Sequence, residues 1–293
     1  MSKKILCAIN PYSGKGSSKS MLAALQAALP SYQWVVIASD GPSYFSKHIG
    51  SFIKPDIDAI AVFGGDGTMH DVVNGLYQSN HLTTPVLLFP AGTGNAFNHD
   101  LECLDHLTAI ERLKKFELHK IDLLKLITPE QTLVSFNIIG WGLVAQITAL
   151  AERLRIFGEA RYTIASILKI FSNPTAFATL TYADNKESAE FSFVLLMNTK
   201  HTGKGMMMAP YASLSDGLMD VLIVKKTSLL NLLFLFPSIY SGKHVHSKLL
   251  EYKQLSAITI AATDGNPLTI DGEVKARAPL SVSVLPLALT IIK

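Results

Sequence analysis

Cysteine, charge and long apolar runs are all scarce in this sequence, and each scarcity excludes a class of protein. The two cysteines, Cys7 and Cys103, have no C-x-x-C spacing, which excludes a disulfide framework and a cysteine zinc site. Charged residues make up 17% of the 293 residues, against about 25% in soluble proteins. The longest apolar run, residues 229–236, contains Asn231 and ends before Pro237, short of the roughly 18 residues of a membrane span. The apolar excess therefore needs an explanation other than a transmembrane helix.

Positive charge exceeds negative charge only slightly. Lys and Arg number 26 against 23 Asp and Glu, so the net charge is +3 with histidine neutral. The basic residues form no cluster, which excludes the footprint of a nucleic-acid-binding protein. Apolar residues are plentiful and low-complexity tracts are absent, which excludes a disordered chain. The apolar part of the N-terminus is too short for a signal peptide, so we expect a cytoplasmic protein.

Short apolar runs alternate with helical patterns over the first 120 residues. Continuous apolar strands that alternate with helices are typical of a parallel sheet covered on both faces. The pattern therefore predicts an α/β fold with a doubly wound, mostly parallel sheet, whose ligands bind where strands end and helices begin. The predicted strands are Ile5–Ile9, Trp34–Ala38, Ala59–Phe63 and Pro85–Phe89, and the predicted helices are Ser18–Leu29, Tyr44–Ile53, His70–Tyr77 and Asp105–Phe116.

The pattern changes after residue 120. Many short strands separated by Gly, Asn, Asp and Pro predict a C-terminal antiparallel β-sandwich. A helical stretch, Ala145–Phe171, is interrupted near Gly158. We predict domains of 1–125 and 126–293 and leave open whether the last segment packs back on the first domain. The predicted strands are Ile121–Ile127, Thr132–Ile139, Phe177–Tyr182, Glu190–Met197, Met219–Val224, Ala257–Ala261, Pro267–Ile270 and Leu280–Leu285.

The strongest motif is GGDGT, residues 64–68, which directly follows an apolar strand and precedes a helix predicted to begin near His70. Glycines let the chain turn tightly and bring backbone N–H groups close to an anion at a helix N-terminus. Thr68 and Asp71 have the spacing of a capping box. The alternative is a tight strand-to-helix turn. Three glycines around one aspartate exceed what such a turn requires, which favours a phosphate site.

Two further loops follow predicted strands of the same sheet. Residues 10–16 (NPYSGKG) match neither a Walker A loop nor a dinucleotide fingerprint, and alone they would be a flexible basic loop. Residues 90–95 (PAGTGN) are rich in Gly and Asn. Because parallel strands end at one edge of a sheet, we expect the three loops to converge there, which favours a polyphosphate ligand. Two late Asp-Gly motifs, residues 215–220 and 271–273, are by themselves typical of hairpin turns.

Taken in order, these motifs resemble the diacylglycerol kinase catalytic family, which includes sphingosine kinases and bacterial lipid kinases. The matching pieces are NPYSGKG, FGGDGTMHDVVNGL, FPAGTGNAF, SDGLMDVLIV and IDGE, and they extend over almost the whole chain. GGDGT alone is shared with NAD kinases and phosphofructokinase-like proteins, and the resemblance implies a nucleotide-binding domain of that type. The residues that follow Trp141 are similar to the sphingosine kinase branch in particular.

The resemblance implies ATP and Mg²⁺ as cofactors and a lipid at a membrane surface as the substrate. Either Asp66 or Glu273 would accept the proton of the lipid hydroxyl, and Asp271 or Asp66 would assist Mg²⁺. A structural Mg²⁺ site, for which an ordinary Asp-Gly turn is the alternative, is matched by Ser213, Asp216 and Leu218. The residues that would bind ATP by resemblance are Asn10, Pro11, Ser13, Gly14, Gly16, Ser39, Gly64, Gly65, Gly67, Thr68, Asp71, Gly92, Thr93, Gly94, Arg155, Arg161, Asp271 and Gly272. Without the resemblance, the two arginines would belong to a solvated helix face.

The sequence departs from the sphingosine kinases where the acceptor lipid would bind. Those enzymes carry an acidic residue that holds the substrate ammonium at the position of Thr148. The missing carboxylate argues for a neutral or zwitterionic acceptor such as a diacylglycerol, with Asp66, Gly67 and Thr148 as the predicted substrate-binding residues. Residues 164–171 and 229–236 are candidates for an apolar slot, although core-facing helices are the alternative.

Two other functions stay open. A kinase of a soluble substrate, of the NAD kinase type, would need no apolar slot. A nucleotide-binding regulatory module without turnover is the other possibility, and the intact Asp66 and Glu273 argue against it. We expect a cytoplasmic protein that attaches peripherally to a membrane, and its oligomeric state is not determined by the sequence.

Overall fold

A computed structural model of the protein contains two compact units. Unit 1 comprises Met1–Ile121 and Leu287–Lys293, and unit 2 comprises Asp122–Pro286. The residues that the structure describes are 2–13, 17–92, 95–203, 205–262 and 265–293. In this part of the chain, no helix is long and apolar enough to cross a membrane. The predicted domain boundary between residues 125 and 126 stays a prediction, because a division into compact units does not show which part of the chain folds independently.

Unit 1 is built on a parallel sheet of apolar strands. These are β1 (Lys4–Ile9), β2 (Gln33–Ala38), β3 (Ala59–Gly64), β4 (Val86–Pro90) and the last residues of β17 (Leu280–Ile292). Their order across the sheet is β17–β4–β3–β1–β2. The strands β3 and β4 are buried throughout, whereas β2 at the edge is partly exposed. The central strands are apolar throughout because both of their faces are covered.

Five helices accompany this sheet in the described part of unit 1. Helix α1 packs against α5, and α2 packs against α3. Parallel strands that alternate with helices confirm the predicted doubly wound α/β fold. The helices are α1 (Ser17–Ala28), α2 (Tyr44–Phe52), α3 (Asp66–Gln78), α4 (Ala96–Asp100) and α5 (His106–Lys115).

Helix α3 begins four residues earlier than predicted, and the predicted capping box is wrong. Gly65 is the N-cap and Asp66 is the first helical residue, so Thr68 lies inside the first turn. The Asp71 carboxylate instead accepts a hydrogen bond from the backbone N–H of Phe45 at 3.1 Å, at the start of α2. The Thr68–Asp71 spacing is right for a capping box, but a threonine can act in one only from the N-cap position.

Unit 2 is a β-sandwich, as predicted. Its main sheet runs β16–β15–β7–β9–β8–β14–β17, and β12 lies between β9 and β13. The neighbouring strands of this sheet are antiparallel. The strands are β5 (Leu118–Ile127), β6 (Thr132–Ser135), β7 (Ile138–Gly142), β8 (Ala176–Tyr182), β9 (Asn185–Met197), β10 (His201–Thr202), β11 (Met206–Met207), β12 (Met219–Lys225), β13 (Glu251–Leu255), β14 (Ala257–Ala262), β15 (Pro267–Ile270) and β16 (Glu273–Arg277).

Among the described residues of unit 2, three α-helices cover one face of this sheet. They are α6 (Leu143–Arg153), α7 (Arg161–Ser172) and α8 (Leu229–Ser238), with 3-10 turns at Arg155–Ala160, Ile239–Ser241 and Lys243–His246. The second half of β9, residues 191–197, is buried, and its successive side chains point to opposite faces of the sheet. Val194 and Leu196 join one apolar cluster between the strands. Leu195 and Met197 join a second cluster that includes residues of all three helices.

Three details of unit 2 concern the predicted elements. The interruption of the long helical stretch near Gly158 is confirmed, because Gly158 has a φ of 55° inside a 3-10 turn. The predicted strand Thr132–Ile139 is wrong as a single element, since it comprises the whole of β6 and the first two residues of β7. Strands β13 and β16 were not predicted, because charged residues interrupt their apolar pattern.

Candidate functional site

The first two predicted phosphate loops meet at the carboxyl ends of β1 and β3. These strands are neighbours, but the chain visits β2 on the far side of β1 between them. Such a reversal opens a crevice where ligands of open α/β sheets bind. Asn10, after β1, donates a hydrogen bond from Nδ2 to Oγ1 of Thr68 in the first turn of α3, at 3.0 Å. The backbone N–H of Asn10 also donates to the Phe63 carbonyl at 3.0 Å, so the two loops are joined at this crevice.

The loops after β3 and β4 approach each other through glycine backbones. A Cβ atom added to Gly65 would lie 3.0 Å from Cα of Gly92, and one added to Gly92 would lie 2.7 Å from Oδ1 of Asn95. The Asn95 side chain accepts from the Gly92 N–H at 3.1 Å and donates to the Gly92 carbonyl at 2.9 Å. Larger residues do not fit at Gly65 and Gly92, so glycine is needed where the two loops approach each other.

Asp66 links the start of α3 to the start of α4. Its Oδ2 accepts a hydrogen bond from the backbone N–H of Ala96 at 2.9 Å, and its Oδ1 accepts from Phe97 at 3.2 Å. Two N–H groups that have no partner inside α4 are satisfied in this way. The carboxylate is therefore anchored where the loops after β3 and β4 meet.

The other predicted residues of unit 1 lie around the same strand ends. Gly64 ends β3, with its α-carbon against the Thr68 side chain, and Gly67 is the second residue of α3. Pro11 and Ser13 lie in the turn after β1, and Ser39 follows β2 with its N–H donating to the Ile9 carbonyl at 2.9 Å. The predicted residues that lie outside the described part of the chain are Gly14, Gly16, Thr93 and Gly94.

In unit 2, the DGE motif forms a two-residue turn between β15 and β16. Asp271 and Gly272 have φ values of 49° and 86°, as a type I′ hairpin turn requires. Asp271 is only 2% exposed. Its Oδ1 accepts hydrogen bonds from Ser135 Oγ at 2.6 Å and from the N–H groups of Asn137 at 3.0 Å and Ile138 at 3.1 Å. Because a buried carboxylate needs such donors, these bonds hold the turn in place.

Glu273 is the first residue of β16, directly after this turn. Its carboxylate lies 2.9 Å from Lys275 Nζ, and its side chain is 43% exposed. The DGE motif thus contains one buried carboxylate that is fixed by donors and one accessible carboxylate.

The late SDGL motif forms a turn that a second, unpredicted aspartate holds. Leu218 N–H donates to Asp216 Oδ1 at 3.0 Å, and Gly217 N–H donates to Oδ2 of the fully buried Asp122 at 2.7 Å. Ser213 lies at the start of the turn, where its Oγ is 3.5 Å from the N–H of Ser215. Among the described residues, no three His, Cys, Asp or Glu side chains are grouped to hold a metal ion. Any cation at this turn would therefore depend on backbone carbonyls as well as carboxylates, and such oxygen donors suit Mg²⁺.

Asp220, two residues beyond this turn, is a buried carboxylate on β12. It accepts hydrogen bonds at Oδ1 from the Tyr252 hydroxyl at 2.5 Å and from Gln254 Nε2 at 3.2 Å. Burial raises the pKa of Asp220 above its ordinary value, and the negative charge of Asp216 adds to this effect. The same burial, together with the bond to Asp220, raises the pKa of Tyr252.

The remaining predicted residues of unit 2 lie on helices. Thr148 is buried in α6, and its hydroxyl donates to the Val144 carbonyl at 3.2 Å. Arg161 begins α7, 3.7 Å from the Glu152 carboxylate, with its guanidinium over the Tyr162 ring. Arg155 begins the 3-10 turn before α7, and its side chain is not among those described.

Two residues of these sites were not among the predicted ligands. Asn95 is the last residue of the PAGTGN motif, and its position at the end of a Gly-rich loop could have indicated that its side chain orders the loop. Asp122 interrupts an apolar strand in the sequence IDLLKL, and a charged residue at such a position usually has a buried partner. The structure brings the unit 1 residues together at one sheet edge and places the unit 2 residues in two turns and on two helices.

An open parallel sheet with glycine-rich loops at its reversal point defines the class of α/β proteins that bind ligands at strand ends. Residues 4–126 match the diacylglycerol kinase catalytic domain, and residues 137–293 match the YegS C-terminal NAD kinase beta sandwich-like domain. The chain belongs to the diacylglycerol kinase catalytic domain family, as its motifs indicated.

Similar proteins are found in bacteria. A "putative lipid kinase" of Staphylococcus haemolyticus is 30% identical over 243 residues, which cover 81% of this chain and 77% of the relative. A "putative lipid kinase" of Staphylococcus aureus is 27% identical over 246 residues, with the same coverage. The structure of "a putative diacylglycerol kinase" from Bacillus anthracis superposes with a TM-score of 0.82 at 23% identity and covers 99% of this chain and 96% of its own. This likeness supports the fold.

Proposed function

We propose that the protein is an ATP-dependent lipid kinase, which transfers the γ-phosphoryl group to the hydroxyl of a diacylglycerol-type lipid. One observation carries the proposal. The carboxylate of Asp66 is anchored beside the closely approaching Gly65 and Gly92, at the reversal point of a parallel sheet. Phosphoryl transfer needs positioned donors and charge neutralisation rather than covalent chemistry. The start of α3 would supply donors, and the Asp66 carboxylate would hold the Mg²⁺ that neutralises charge.

The unit 1 loops would hold the nucleotide. The N–H groups of the first turn of α3, which begins at Asp66, would donate to phosphate oxygens. Asn10 would fix the loop after β1 against Thr68. Arg155 and Arg161, which match phosphate contacts of the sphingosine kinases, would add positive charge. Mg²⁺, when bound with ATP, would neutralise charge on the transferred phosphoryl group.

Two carboxylates are candidates for the general base. Asp66 is fixed by two backbone donors, which favours a role in orienting the acceptor hydroxyl or the metal. Glu273 is accessible and rests only against Lys275 in the described contacts, which suits a group that takes up and releases a proton. The turn that carries Glu273 is held by the buried Asp271 carboxylate.

The turn at Ser213, Asp216 and Leu218 would bind a second, structural Mg²⁺. Its oxygen donors fit that ion, and Asp122 would keep the turn in shape through its bond to Gly217. A turn fixed by hydrogen bonds alone remains the alternative.

A panel of acceptors with radiolabelled ATP tests the proposal. We expect label in a phosphorylated lipid. Label only in NADP would show the soluble-substrate alternative, and ATP binding without any turnover would show a regulatory module.

Asp66→Asn should lower kcat by at least about a hundredfold, the scale of general acid–base groups, while ATP binding persists. Glu273→Gln tests the other candidate. Replacement of the general base should remove the acidic limb of the pH–rate profile, and replacement of the other carboxylate should leave it in place. Asp184→Asn, at an exposed position in unit 2, is the control. Unchanged turnover in Asp66→Asn would refute its role.

Thr148→Asp tests the acceptor class. The new carboxylate would stand where sphingosine kinases hold the substrate ammonium, so sphingosine phosphorylation should rise relative to diacylglycerol. Because Thr148 is buried, Thr148→Asn controls for the change in packing. An unchanged ratio of the two activities would remove the support for a neutral acceptor.

A further inference from the structure

Helix α8 leaves large apolar side chains uncovered. Leu230 is 63% exposed and Phe234 is 80% exposed. They are four residues apart, so they project from the same face of the helix. Leu232 and Leu235 are buried in the cluster that also holds Ile170 of α7. The helix therefore already has a covered side, and a second apolar face marks an interaction surface.

A cavity of about 300 Å³ opens beside Phe234. Its walls come from α8, through Asn231 and Phe234, and from the turn that follows, through Lys243, His246 and Ser247. Basic and hydroxyl groups at a cavity rim suit a phosphate group. The same cavity thus joins the exposed apolar face to a site for an anion.

The charged residues of α8 and the turn after it are all basic. Residues 227–250 contain no Asp or Glu. Lys243 and Lys248 are exposed and form no ion pair with any carboxylate in the described ranges, and the exposed His246 lies between them in the sequence. Lys225, at the end of β12, is by contrast paired with Glu187 and Glu251. Uncompensated cations beside exposed apolar residues are the composition of a surface that binds anionic lipid bilayers.

We propose that α8 and the turn after it form a docking face for an anionic bilayer, made of Leu230, Phe234, Lys243, His246 and Lys248. The two apolar side chains enter the lipid interface, and the cavity receives the phosphate of an acidic phospholipid. The proposal rests on the proposed function only in that the lipid substrate would be met at the same membrane. Docking itself involves no turnover.

Co-sedimentation of the full chain with vesicles tests this surface. We expect binding to vesicles of phosphatidylcholine with phosphatidylglycerol and much weaker binding to phosphatidylcholine alone. Phe234→Ser and Leu230→Ser should each lower binding by about tenfold, the scale of burying one apolar side chain. Lys243→Ser and Lys248→Ser should each lower it by about fivefold, and only on the anionic vesicles.

Matched controls lie elsewhere in unit 2. Phe177 on β8 is 60% exposed, and Lys186 on β9 is exposed, so Phe177→Ser and Lys186→Ser should bind as the parent does. Thermal unfolding by circular dichroism shows whether each variant is folded. Binding that survives the Phe234 and Lys243 variants, or that falls equally with the controls, overturns the proposal.

Light scattering separates the membrane from another occupant of this face. If the parent is a dimer and Phe234→Ser is a monomer, the face is an interface between copies and the proposal is wrong. Failure of the two proposals is distinguishable, because vesicle binding needs no ATP. Vesicle binding without lipid phosphorylation would refute only the proposed function, and phosphorylation without vesicle binding would refute only the docking face.

Discussion

Replacement of Asp271 should uncouple the DGE turn from the strands beneath it. The Asp271 Oδ1 atom accepts three hydrogen bonds, two of them from backbone N–H groups, in a site that is 2% exposed. Asp271→Ala leaves the N–H groups of Asn137 and Ile138 without this acceptor, whereas the Ser135 hydroxyl keeps the Ile138 carbonyl at 3.3 Å. At about 1 kcal/mol or more for each N–H group, we expect a loss of at least about 2 kcal/mol in the free energy of unfolding. Asp271→Asn keeps an acceptor oxygen and loses only the charge, so its loss should be about 1–2 kcal/mol.

The two tryptophans make this measurement specific to unit 2. Trp141 is buried on β7, and the other tryptophan, Trp34, lies on β2 of unit 1. In a Trp34→Phe background, Trp141 fluorescence during urea unfolding reports unit 2. Asp271→Gly also lacks the acceptor but adopts the positive φ without strain, so its comparison with Asp271→Ala separates the two effects. Asp184→Ala is the surface control. The reasoning fails if Asp271→Ala loses less than about 1 kcal/mol or if the Asn and Ala variants are equally destabilised.

Two further predictions concern single positions. Gly92→Ala should weaken ATP affinity and lower the melting temperature, because the added Cβ would lie 2.7 Å from Asn95 Oδ1. Gly41→Ala, where a Cβ would meet no atom within 4 Å, is its control, and equal behaviour of both variants would contradict the close approach. Asp220→Asn should gain stability relative to the parent as the pH rises. Burial raises the folded pKa of Asp220, so the protonated carboxyl contributes to the stability of the folded parent at acid pH. The parent loses this contribution as the pH rises from the unfolded to the folded pKa. Urea midpoints measured from acid to neutral pH check this, and parallel curves would refute it.

The parts of the fold that could be predicted are those in which both faces of an element are buried. Strands β3 and β4 are buried throughout, so their apolar runs are continuous and were found. Strand β13 pairs with β12 alone among the described strands, and its sequence EYKQL keeps polar residues toward solvent. A strand with one solvated face needs apolar residues only at alternate positions, so its apolar pattern is weaker than that of a strand buried on both faces.

The candidate site was predictable in its location but not in its contacts. Three Gly-rich loops at strand ends predicted one edge of the sheet. The bonds of Asp66 to Ala96 and Phe97 join residues 30 and 31 positions apart, and no local pattern encodes a contact at that distance. The spacing of Thr68 and Asp71 suggested a capping box, but the Asp71 carboxylate accepts a hydrogen bond from the N–H of Phe45 in another helix.

The pairing of β17 has a consequence for the order in which unit 1 can fold. Val86 of β4 pairs with Ile60 of β3 on one side and with Ile291 of β17 on the other. The chain between Val86 and Ile291 includes all of unit 2, so this contact closes a very long loop. Contacts of such sequence separation form late and leave an apolar strand edge open in the meantime. The strand that leads into the Gly92 loop therefore gains its second neighbour only when the far end of the chain returns, and a fragment of residues 1–121 should aggregate through β4.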